Sequence, residues 1–129
     1  MNKELTDKLW KKYPKIFAGK DKSIQESLIP FEFECGDGWY WLIDQLCNTI
    51  QNYLDSNKHL KLEQVEATQV KEKFGRLSFY IYGGDETIRG MIWLAESMSY
   101  NICEICGSTE DITQSSGWVY TRCSKCKET

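Results

Sequence analysis

Apolar residues recur at helical spacing in three stretches of the chain and alternate at strand spacing in two. Leu5, Leu9 and Tyr13 recur every four residues with Trp10 beside them, and Lys3, Lys8, Lys11 and Lys12 fill the other side. This predicts a short amphipathic helix over 2–13. Pro14 ends it. Residues 15–29 read as irregular and polar, apart from Ile16, Phe17, Ile24, Leu28 and Ile29. After Pro30, Phe31, Phe33 and Cys35 alternate with Glu32 and Glu34, which predicts a short half-buried strand.

Gly36-Asp37-Gly38 reads as a turn in which Asp37 caps a helix running to about Ser56. Trp39, Leu42, Ile43, Leu46, Ile50, Tyr53 and Leu54 share one face of that helix. Trp41 points the other way, among Asp44, Gln45, Asn48 and Asn52, so a neighbouring element is expected to cover it, failing which a partner or ligand does. The only histidine, His59, sits in an expected loop over 56–59 and reads as exposed.

Residues 62–72 and 77–82 predict an antiparallel hairpin. Leu77, Phe79 and Ile81 alternate with Ser78, Tyr80 and Tyr82, and Phe74-Gly75-Arg76 makes the reversal, with Gly75 taking any positive φ. Lys71, Lys73, Phe74 and Arg76 then cluster at the tip. Such a tip is either a solvated turn or a grip for a phosphate. Gly83-Gly84 ends the hairpin, and Asp85 is placed to cap a helix over 86–101. Ile88, Met91, Ile92, Ala95, Met98 and Ser99 form its core face, while Trp93 and Tyr100 lie on another side. The expected arrangement sandwiches this helix between the hairpin sheet and a C-terminal module.

That module is defined by chemistry. Cys103-x2-Cys106 is followed after sixteen residues by Cys123-x2-Cys126. Two such pairs are a zinc signature, since each tight turn presents two thiolates to one ion and two turns complete a tetrahedron. Gly107 relieves the first turn. Four protein ligands leave no open position, so one structural zinc per chain is expected. Two disulfides would need an oxidising compartment, and a redox pair would need only one such turn. Ile102 and Ile105 are expected to anchor the module to the preceding helix. Within it, Ser115-Ser116-Gly117 reads as a loop and Trp118-Val119-Tyr120 as a short strand. The expected division is a core domain over 1–101 and a zinc module over 102–129. The fold class is α+β: a small antiparallel sheet, made of the hairpin and one short strand, flanked by helices, with a zinc-ribbon-like module.

Composition narrows the function. The 129 residues carry a net charge of −3, distributed unevenly. Residues 1–22 hold seven lysines against three acids, and residues 23–70 hold two against eight. No basic stripe dominates, which argues against a general nucleic-acid binder. No apolar run has membrane-spanning length, and the charged start lacks a signal-peptide pattern. A reducing cytoplasm is therefore expected, with Cys35 and Cys47 as free thiols.

Four stretches carry a family resemblance: KLWKKYPKIF, FEFECGDGWYWLIDQLC, VKEKFGRLSFYIYGGDETIRGMIWLAESMSY, and CEICG followed by GWVYTRCSKC. Together they resemble a family of small uncharacterised proteins found in bacteriophages and prophages. Relatives tend to close the metal site with a Cys-Asp-x-His pattern. Here Cys123 and Cys126 stand instead and preserve four ligands. The resemblance implies a phage or prophage accessory protein in the bacterial host cytoplasm, with counter-defence among its expected roles.

Three functions follow as expectations. The first is non-enzymatic binding of a host protein or sequestration of a nucleotide-type signal. It rests on the surplus aromatics Trp41, Trp93, Tyr100, Tyr80 and Tyr82, beside Lys71, Lys73 and Arg76. Leftover aromatic faces also leave room for a homodimer. The second is nucleic-acid binding through the zinc module, where Arg122, Lys125 and Lys127 are offset by Glu104, Glu110, Asp111 and Glu128. The third is a carboxylate enzyme built from Glu34, Asp37, Asp85 and Glu86, which requires the two glycine-rich turns to meet at one end of the sheet. Helix capping is the competing role for Asp37 and Asp85. The first reading, without catalysis, is the expected one.

Overall fold

The computed structural model describes residues 1–115, 117 and 119–127. The fold is α+β. Helix α1 spans Lys3–Lys12, β1 Phe33–Glu34, α2 Tyr40–Ser56, β2 Glu66–Lys73, β3 Arg76–Tyr82 and α3 Glu86–Ser99. Two short strands follow, β4 at Ile112–Gln114 and β5 at Thr121–Cys123.

Helix α1 starts where the Asn2 side chain accepts the Leu5 N–H at 2.9 Å, satisfying an otherwise orphan donor. Its buried stripe meets α2, and the two are pinned by the Tyr13 hydroxyl, which donates to Asp44 Oδ1 at 2.6 Å. Helix α2 buries Leu42, Ile43, Leu46, Cys47, Ile50 and Leu54, as its periodicity requires. Tyr53 is only half-buried; its hydroxyl donates to Asp85 Oδ2 at 2.6 Å.

The three-stranded sheet has the order β1-β2-β3. The β2–β3 hairpin is antiparallel and closes through Phe74 and Gly75, both at positive φ (54° and 82°). That is the two-residue turn whose twist suits a hairpin. The short strand β1 lies parallel to β2, pairing Phe33 with Val70 and Glu34 with Lys71, so the sheet is mixed. β1 is also shorter than the alternation suggests. Residues Ile29–Phe31 form a 3-10 turn, and Glu32 sits at φ 66°, which breaks the extended run. Phe31 is therefore outside the strand and exposed, while Phe33 and Cys35 are buried.

The segment expected to be irregular is laced onto β2. Ala67 N–H donates to the Ile16 carbonyl and Leu28 N–H to the Thr68 carbonyl, each at 2.8 Å. Phe17 is fully buried and meets Phe33 edge-on at a centroid distance of 5.1 Å.

The open edge of β3 is closed by α3. Leu77 N–H donates to Ser99 Oγ and Phe79 N–H to Glu96 Oε2, each at 2.9 Å. Side chains of a helix thus stand in for a missing strand, which blocks edge-to-edge pairing. Asp85 caps α3 as expected, accepting the Ile88 N–H at 3.0 Å. One apolar cluster runs from Leu9 to Ile102 through α2, the sheet and α3.

Candidate metal centre and exposed surface

The two cysteine turns fold as their spacing demands. In the first, Gly107 N–H returns to the Cys103 carbonyl at 2.9 Å, and Gly107 adopts φ 80°. In the second, Cys126 N–H reaches the Cys123 carbonyl at 3.0 Å. Between them β4 and β5 form a short antiparallel pair that sets Ile112 opposite Cys123. Ser116, Trp118 and Glu128 lie outside the described residues. Of the strand expected at 118–120, Val119 and Tyr120 are not extended in a sheet; the strand begins one residue later, at Thr121.

The four thiols of Cys103, Cys106, Cys123 and Cys126 all lie within 4.8 Å of one another. Cys106 and Cys123 sulfurs are 3.7 Å apart, too far for a disulfide. A metal–sulfur bond of about 2.3 Å in a tetrahedron gives edges of about 3.8 Å, so this set fits one ion. Burial raises the Cys103 thiol, but the N–H groups of Cys106, Cys123 and Ile105 outweigh it and bring its pKa to about 6. Burial and the neighbouring thiols push Cys126 the other way, up to about 12. One thiolate thus discourages the next, and a dication relieves that repulsion. The cluster can hold a metal ion.

Where the module begins, Ile102 N–H donates to the Ser99 carbonyl of α3 at 3.3 Å. The module's other described hydrogen bonds to the rest of the chain go to the glycine turn after β1 and to the hairpin tip. Gly38 N–H donates to the Glu104 carbonyl at 2.7 Å, and Gly36 N–H to Glu104 Oε2 at 2.9 Å. Thr121 Oγ1, fully buried, donates to the Gly75 carbonyl at 2.6 Å. Trp39, also fully buried, donates its indole N–H to the Ile102 carbonyl at 2.9 Å. Gly36 and Gly38 have ordinary φ, so they are needed for proximity: a Cβ on either would collide with the backbone carbonyls of Glu104 and Cys103. The sequence marks the turn, but only the packing shows that its glycines seat the metal module.

Asp37 accordingly has another task. It does not cap α2, which carries no side-chain cap. Its carboxylate accepts the Asn2 N–H at 2.7 Å and the Asn2 amide at 3.0 Å, fixing the residue that caps α1. The chain's α-amino group donates to the carbonyls of Phe33 and Cys35 nearby.

The four carboxylates singled out earlier are not brought together. Because β1 is parallel to β2, Glu34 and Asp37 lie toward the hairpin tip, whereas Asp85 and Glu86 follow Tyr82, which pairs with Glu66 at the far end. Glu34 accepts from Gln69, and Glu86 pairs with Arg89 at 3.0 Å. Cys35 and Cys47 are free and buried, and burial raises both thiols, Cys35 to about 12. His59 is exposed.

The aromatics divide. Among the described residues no neighbouring element covers Trp41, which is 57% exposed. Trp93 and Phe74 are each 73% exposed, and Tyr82, Tyr80 and Tyr100 lie at the surface too. Trp93 and Tyr80 line a common groove between α3 and β3. Trp41 borders a separate hollow beside Cys106 and Gly107. No helix among the described residues is long and apolar enough to cross a membrane. Comparison of the chain with protein-family models, with curated proteins and with solved structures gives no match.

Proposed function

We propose that this chain is a non-enzymatic binding protein whose C-terminal module is held by one structural zinc. The observation that carries the binding role is the exposure of Trp41, Trp93, Phe74 and Tyr82, each more than half open to solvent. Large aromatics supply most of the energy at recognition surfaces, and a small domain has no stability reason to leave several outside. With the phage and prophage resemblance, the reading is an accessory protein in a bacterial cytoplasm. It acts by binding a host protein or by sequestering a nucleotide-type signal.

Zinc is the metal that an all-thiolate tetrahedral set suits best, with iron the competitor. Four protein ligands give it no free position, so its role is to hold structure. A nucleic-acid role for the module has thinner support, because Arg122 stacks on Tyr120 at 4.4 Å and the basic groups left are Lys125 and Lys127.

The test is native mass spectrometry of protein purified from a bacterial host, followed by capture of partners from bacterial lysate. The expected result is a retained ligand mass or a captured host protein, lost in Trp41→Ala or Trp93→Ala at unchanged melting temperature. If both variants melt many degrees lower and keep every partner, the aromatics are structural and the reading fails.

A further inference from the structure

The outward face of the hairpin carries a second feature that the metal centre does not use. The register sets Lys71 opposite Ser78 and Lys73 opposite Arg76. Cross-strand partners share a face, so Lys71, Lys73 and Arg76 lie on the serine's face, with Glu34 on the far side of Lys71. Among the described residues, no ion pair or side-chain hydrogen bond engages Lys71, Lys73 or Arg76. Ser78 is 1% exposed, and among the described residues its hydroxyl has no hydrogen-bond partner. A buried hydroxyl without a partner is destabilising unless something completes it.

Ser78 lines a groove of about 340 Å³ between β3 and α3, together with Arg76 and Tyr80 on the strand side. The helix side presents Arg89, Trp93 and Glu96, spaced at i, i+4 and i+7 on one wall. Glu96 is already engaged by the Phe79 N–H. Among the described residues Arg89 pairs with Glu86, whose side chain is 93% exposed. The groove thus joins Arg76, which has no ion pair among the described residues, to two aromatic side chains. Its size suits a small ligand.

We propose that this groove binds a nucleoside monophosphate. Arg76 and Arg89, the cations that line the groove, take the phosphate with the Ser78 hydroxyl, and the base stacks on Tyr80 and Trp93. Glu96 offers its second carboxylate oxygen to a base N–H. The assignment deepens the binding-protein reading and rests on it, choosing the nucleotide arm and giving it a site.

The experiment titrates the full metal-bearing chain with AMP, GMP, CMP and UMP, read by calorimetry and tryptophan fluorescence. Adenosine, inorganic phosphate and a single-stranded oligothymidylate are run beside them. At least one monophosphate should bind saturably, and its nucleoside should bind about tenfold more weakly or worse. Arg76→Gln and Trp93→Ala should each weaken binding by about tenfold. Ser78→Ala should weaken binding yet leave the melting temperature of the free protein unchanged or higher, which a merely structural serine would not do. No saturation by any of the four at about millimolar concentration overturns the assignment, given that useful ligand sites bind more tightly than that. So does binding of the oligonucleotide alone, and so does monophosphate binding that all three variants leave untouched. A chain that ignores nucleotides but keeps a host protein through Trp41 loses only this assignment. A chain that binds neither loses the broader reading too.

Discussion

Up to Ile102 the chain buries one continuous apolar cluster. From Cys103 to Lys127, the only buried residues among those described are Cys103, Thr121 and Cys123. The first region has a core in the ordinary sense, with Trp39, Phe17 and Leu9 at full burial. The second has short strands, exposed side chains and four converging sulfurs. A segment this short gains little from burial to offset its ordering entropy, and its four converging thiols are placed to supply a cross-link by holding a metal ion. The two regions meet through backbone: Glu104 against the glycine turn, and Thr121 against the hairpin tip.

The sharpest way to break the comparison is to remove the ion. Structural zinc contributes about 10–16 kcal/mol to small sites at neutral pH. Chelation, or Cys106→Ser, should therefore unfold the region after Ile102 and lower solubility, while α1, α2 and the sheet keep their far-ultraviolet signal. Wild-type solubility with an unchanged near-ultraviolet spectrum would count against a structural metal. Next in size is Gly38→Ala. The added methyl collides with the Cys103 and Glu104 carbonyls, so the backbones must part, at about 1–3 kcal/mol or more. Amide exchange should rise in the module before it rises in α2.

Smaller effects probe the other region. Asp85→Ala removes the cap of α3 and the acceptor of the Tyr53 hydroxyl. Melting should drop by a few degrees, with metal content unchanged. Smallest is the acid response of Asp44. Burial raises its carboxyl, but hydrogen bonds from Tyr13 and Lys12 prevail and hold it below the usual range. The stabilisation is therefore present above the unfolded carboxylate pKa of about 4 and fades as pH falls through the lowered value. Asp44→Asn should flatten that part of the melting-temperature profile and leave the neutral-pH metal content alone.

The cysteine spacing made the four-thiol cluster legible because ligand geometry is local: each pair sits within one turn. Helix faces were legible for a similar reason, since Leu42, Leu46 and Ile50 report their own burial through period. The Asp85 cap was also local. The docking of the module was not legible, because Gly36 and Gly38 look like ordinary turn residues until the Glu104 backbone approaches them. Asp37 misled for the same reason: its partner, Asn2, lies 35 residues away in the chain. The parallel β1 likewise depends on the route of residues 15–29 along β2, which carries no periodic signal. Trp41 was expected to be covered, and its exposure is a fact of packing that an isolated helix cannot announce. Ser78 was legible only as one of the alternating positions of the hairpin. Its alternation places it on the solvent face, and only its burial and missing partner set it apart.

The most direct test of the central claim is native mass spectrometry of the intact chain beside its denatured mass, with amide exchange mapped before and after chelation. The account predicts one zinc per folded chain and four reduced thiols at Cys103, Cys106, Cys123 and Cys126. It also predicts protection after Ile102 that disappears with the metal while protection in α2 and β3 remains. A metal-free chain whose C-terminal region stays equally protected would contradict it.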